Sequence, residues 1–145
     1  MSSTLPVARD EFITAMNRET VRTERPRFTA VLDAMIAWSL ARPDVLRFHE
    51  DESHKGVVAF ERVDTKVVFW TATPRKRDVP RLQLLPRAAR ALSADERAAA
   101  VSEINAHSRE ELGADDPLRI GFGALKNNDA RAAVLKMMEK LLVTT

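Results

Sequence analysis

With no cysteine in 145 residues, any chemistry of this chain rests on carboxylates, imidazoles and cationic side chains. Thiolate zinc sites, disulfide scaffolds and thiol nucleophiles are excluded at once. Two clusters have residue types and spacing that could do something. The first is Pro74-Arg75-Lys76-Arg77-Asp78-Val79-Pro80-Arg81, with Arg87 and Arg90 beyond it. Convergent cations are what a run of phosphates requires, because each neutralised phosphate releases counterions. Arginine supplies 17 of the 23 basic residues, which favours bidentate and stacked contacts over point charges. Phe69 and Trp70 lie just upstream, and an exposed ring beside arginines can stack a base. Alternation along a strand puts these two rings on opposite faces, so at most one is expected to be exposed. Arg75, Lys76, Arg77, Arg81, Arg87, Arg90 and Trp70 are thus the expected contacts for nucleic acid or another polyanion. The competing reading is a hairpin loop solubilised by arginine, with both rings in the core.

The second cluster is His49-Glu50-Asp51-Glu52-Ser53-His54. Imidazole and carboxylate are ordinary donors to zinc or manganese, which makes His49, Glu50, Asp51 and His54 candidate metal ligands. The spacing is not that of the helical HExxH site, and a polar turn between strands accounts for the same composition. No organic cofactor is expected. The formal charge of +2 conceals a distribution: residues 62–90 carry eight cations against two acids, whereas the flanks are each −2. No apolar run reaches the ~18 residues of a membrane span. No leader pattern opens the chain, so a cytoplasmic protein without a membrane partner is expected.

The elements that must position these residues follow from hydrophobic period. Residues 8–20 read as a helix with Phe12, Ile13 and Met16 on one side, and residues 1–7 as a flexible start. A second helix, from about Pro26 to Arg42, repeats Phe28, Val31, Leu32, Met35, Ile36 and Leu40 at three- and four-residue steps. Trp38 lies off that stripe. The period then becomes two. Val45–Glu50, Gly56–Val63, Lys66–Thr73 and Arg81–Leu85 read as strands joined by short connections, and short connections join antiparallel neighbours. Ser93-Ala94-Asp95-Glu96 is a capping box that opens a helix to about Ser108, with His107 near its end. Leu118–Phe122 reads as a short fifth strand or an extended segment. Asn127, Asn128 or Asp129 caps a last helix with a long apolar stripe including Met137 and Met138. The expected fold is one α+β domain over residues 1–145: an antiparallel meander of three to four strands with helices on one face.

Catalytic patterns are missing. The element order resembles that of the PD-(D/E)XK nucleases, which implies an acid on one strand and an acid-x-Lys on the next to hold magnesium. Lys66–Thr73 holds no acid, and Glu61 is followed two residues later by Val63 rather than by lysine. No Gly-x-Ser-x-Gly elbow, Walker loop or Gly-x-Gly-x-x-Gly is present. Gly121-Phe122-Gly123-Ala124 reads as a turn after a strand. The expected function is a non-catalytic binding domain whose basic surface meets an anionic partner, nucleic acid first. The alternatives are a metal-binding protein or metal-dependent enzyme at His49–His54, and a protein–protein adaptor or homodimer using the terminal helices.

Overall fold

The computed structural model describes residues 4–50, 56–75, 80–84, 93–107 and 118–143. Its centre is a five-stranded antiparallel sheet in sequential order: β1 (Leu46–Phe48), β2 (Val58–Arg62), β3 (Val68–Thr73), β4 (Arg81–Leu84) and β5 (Leu118–Gly121). The meander matches the expected topology, with one strand more than the expected three to four. Leu118–Gly121 does not stand apart but pairs with β4, placing Leu84 opposite Leu118, Gln83 opposite Arg119 and Leu82 opposite Ile120. The pairing satisfies the backbone edge of β4 and adds Ile120, 3% exposed, to the core.

Helices α1 (Leu5–Glu19), α2 (Arg25–Leu40), α3 (Ala94–His107), one-turn α4 (Phe122–Leu125) and α5 (Asn128–Val143) complete the described chain. Helix α1 begins at Leu5, ahead of the expected start. Pro6 sits in its first turn, where a missing N–H costs nothing. The capping box forms as read: the Ser93 N–H bonds Glu96 Oε1 at 3.2 Å, and the Glu96 N–H bonds Ser93 Oγ at 3.2 Å. Asn127 is the cap of α5, its Oδ1 accepting from the N–H groups of Asp129 and Ala130.

Strand register decides which residues share a face. Phe48, Phe60, Trp70 and Leu84 form one row across four strands, and Val58, Ala72, Leu82 and Ile120 the next. The apolar faces of α1 and α2, through Phe12, Met16, Val31, Leu32 and Met35, join this face in one hydrophobic cluster. Phe122 of α4 ties the layers together, with ring centroids 5.7 Å from Phe12 and 6.2 Å from Phe28. Val134, Met138 and Leu142 of α5 belong to the same cluster, so the terminal apolar stripe is spent on the core. Two turns use left-handed backbone. Gly56 (φ 80°) gives its N–H to Glu11 of α1, and Lys66 (φ 59°) closes the β2–β3 hairpin.

Candidate functional site

The helices cover one face of the sheet; the alternate residues of every strand make the other. Register lines up Ala59 of β2, Thr71 of β3, Gln83 of β4 and Arg119 of β5. His49, the residue after β1, extends the row, since its N–H bonds the Ala59 carbonyl at 2.9 Å. One step along the strands lie Thr73, Arg81 and Gly121; one step the other way, Arg47 faces Glu61. Thr71, Gln83, Arg81 and Arg119 are all half-buried, the burial pattern of a polar sheet face. Among the described residues this face carries Arg47, Arg81 and Arg119 and the carboxylate of Glu61.

Glu61 is itself neutralised. Its side chain is 12% exposed and accepts from Arg47 Nη2 at 3.1 Å through Oε2, while Oε1 lies 3.1 Å from His49 Nδ1. A carboxylate holding two donors this far from solvent does not repel an approaching anion as a free one would. The same bond fixes the His49 ring, so that Nε2 is the nitrogen left for a ligand. The Glu61 carboxylate, which the nuclease comparison would assign to magnesium, is thus engaged with protein cations.

The expected polyanion contacts divide three ways. Arg81 lies on the polar face opposite Thr73, and Arg75 follows that strand directly after Pro74. Lys76, Arg77, Arg87 and Arg90 fall outside the described residues. Trp70 has to be corrected: it is fully buried on the helix face, stacked on Phe60 at 5.3 Å, with its Nε1–H donated to Ser39 Oγ at 2.9 Å. The ring cannot stack a base without leaving the core. Phe69 is 1% exposed, so neither ring is available. It is the extra residue at a β-bulge, where Phe60 faces Trp70 but Glu61 faces Val68. Another cation of the basic stretch, Arg62, is spent locally. Its Nε and Nη2 bond both carboxylate oxygens of Asp64, and this side-chain hydrogen bond holds the Asp64 carboxyl below its ordinary range.

Sequence reasoning missed Arg47, Glu61 and Arg119 as members of one surface. The signal was present in the alternation Arg47-Phe48-His49, Arg81-Leu82-Gln83-Leu84 and Arg119-Ile120, each strand offering a polar residue to the same side. Summing charge by segment hid it, because Arg47 and Arg119 lie outside residues 62–90. For the metal reading, His49 and Glu50 are described, whereas Asp51 and His54 lie outside the described residues. Among the described residues no three ligating side chains converge, and no helix is long and apolar enough to cross a membrane. A cleft of about 620 Å³ lies beside Arg27, Gly123, Lys126 and Asn127, away from this face. Both of its cations pair with the one carboxylate of Glu24, at 3.6 and 3.0 Å, which offsets part of their charge.

No protein-family model matches the chain, and no characterised protein or solved structure is significantly similar to it.

Proposed function

We propose that this protein is a non-catalytic binding domain for an anionic partner, with nucleic acid as that partner, and that the open polar face of its sheet is the binding surface. The observation that carries the reading is the placement of Arg81. It sits on the face opposite the helices, at the start of β4, beside the strand that carries Arg119 and a few residues after the Arg75-Lys76-Arg77 run. In this reading the Arg75-Lys76-Arg77 run, close to Arg81 in sequence, serves the same surface. Phosphate-backbone contact is the natural mode for such a face, since both aromatic rings of β3 are buried and base stacking on them is absent. Arg75, Lys76, Arg77 and Arg81 supply the main contacts, with Arg87 and Arg90 in support.

The test is equilibrium binding of a fluorescent oligothymidylate of twenty nucleotides across a salt titration. Binding should weaken steeply with salt. Replacing Arg75, Lys76 and Arg77 together by Ala should lower the slope of log K against log salt by about 2, at ~0.7 per phosphate contact on a single strand. Circular dichroism checks that the triple variant is folded. No binding at low salt, or an unchanged slope in the folded variant, overturns the reading.

A further inference from the structure

Beyond its first turn, α2 offers almost no charge to solvent. From Phe28 to Ala41 the one ionisable residue is Asp33, and Arg9 of α1 holds it through two bonds of 2.7 and 2.9 Å. The side turned away from the core repeats Ala30, Ala34, Ala37 and Ala41 at three- and four-residue steps. Ala30, Ala37 and Ala41 are exposed, Ala34 is half-buried, and Leu40 on the flank is 55% exposed. A surface helix ordinarily carries polar residues on its outer side, and one that is apolar all round belongs in an interior. Helix α1 borders this face through the Arg9–Asp33 pair, and α5 borders it through the bond from Arg42 to Glu139.

The charge on α2 is also the reverse of what its own dipole favours. Its first turn holds Arg25 and Arg27 with no acid, and its last turn holds no base. Arg27 is 65% exposed, 3.6 Å from Glu24, and at the other end Asp44 is exposed three residues beyond Ala41. A second α2 running the opposite way supplies what each end lacks. Ala34 lies seven positions from Arg27 and seven from Ala41, so the ends match when the two Ala34 residues face each other.

We propose that this face is an interface with a second copy of the chain, the two α2 helices packed antiparallel about a two-fold axis at Ala34. Alanine at every turn lets the helix axes approach to about 8 Å, the short end of helix packing. Each Arg27 then reaches the C-terminal carbonyls and Asp44 of the other copy, and symmetry makes the contact twice. A strip one helix wide is at the small end of interface sizes, so the dimer dissociates in the micromolar range. The face lies on the helix layer rather than on the polar side of the sheet, and the inference stands apart from the nucleic-acid reading.

The experiment is sedimentation equilibrium of the wild-type chain across the micromolar range, repeated on Ala37→Glu, Arg27→Glu, Asp44→Arg and the two charge changes combined. All three positions are exposed, so folding is preserved, and circular dichroism confirms it. The wild type should pass from monomer to dimer as concentration rises. Ala37→Glu should weaken the dimer by about tenfold or more, because it buries an unpaired carboxylate on the contact line. Arg27→Glu and Asp44→Arg should each weaken it by about fivefold, the size of two exposed ion pairs, and together restore it. A chain that stays monomeric throughout would leave the face to a different protein and overturn the inference. A dimer that Ala37→Glu leaves intact, or an exchange of charges that restores nothing, would overturn it equally.

Discussion

Ser39→Ala removes one oxygen from the centre of the molecule and tests where Trp70 lies. The Ser39 hydroxyl is fully buried, accepts the Trp70 indole N–H at 2.9 Å and donates to the Met35 carbonyl at 3.0 Å. Without it, the indole N–H is left with no acceptor in a site closed to water, which costs about 1–3 kcal/mol. The Met35 carbonyl keeps its helical partner, and alanine returns a few tenths of a kcal/mol of helix propensity. The net expectation is a loss of about 1–2 kcal/mol, read as a lower urea midpoint at unchanged slope. Trp70→Phe deletes the orphaned donor instead. In that background Ser39→Ala should cost less than about 0.5 kcal/mol, because no buried N–H remains to be stranded. Circular dichroism follows all four proteins, since two of them lack the Trp70 fluorophore. An equal Ser39→Ala cost with and without the indole would refute the buried hydrogen bond, and with it the removal of Trp70 from the binding surface.

Arg42 binds Glu139 of α5 through Nε at 2.8 Å, donates Nη1 to the Trp38 carbonyl and stacks 4.2 Å from the centre of the Trp38 ring. Arg42→Lys keeps the charge but neither the fork nor the stack, so a loss of about 1 kcal/mol in a urea melt is expected, and full stability would contradict it. At the start of α3, the Glu96 carboxyl is held below its ordinary value of 4.5 by the Ser93 backbone N–H and then by the Ser93 hydroxyl. A depressed carboxylate stabilises the fold above its unfolded pKa and loses that contribution as pH falls through the folded one. Stability should therefore decline less between pH 5 and about 3 in Glu96→Ala than in the wild type, and matching profiles would refute the link.

Much of the fold is legible in the residues because its signals are local. The three- and four-residue spacing of Phe28, Val31, Leu32, Met35 and Ile36 marks α2, and the Ser93–Glu96 box marks the start of α3. Strand β5 is harder: four residues, Leu118 to Gly121, become a strand only because the edge of β4 is there to pair with. The fate of Trp70 is decided by Ser39, 31 residues earlier on another element, and nothing near either residue announces the bond. The polar face fails to show for the same reason. Arg47 and Glu61 are 14 residues apart and Arg119 lies far beyond both, so their common surface exists only after the register is set. What the sequence does convey is the excess of arginine around residue 75 and the alternation that sends Arg81 to one side and Leu82 to the other.

The salt dependence of oligothymidylate binding to the wild-type chain and to the Arg75, Lys76, Arg77 triple-alanine variant tests the central claim most directly. Binding is expected at low ionic strength, with a slope that reports several phosphate contacts and is smaller by about 2 in the variant. A wild-type chain that ignores the oligonucleotide at low salt would contradict it.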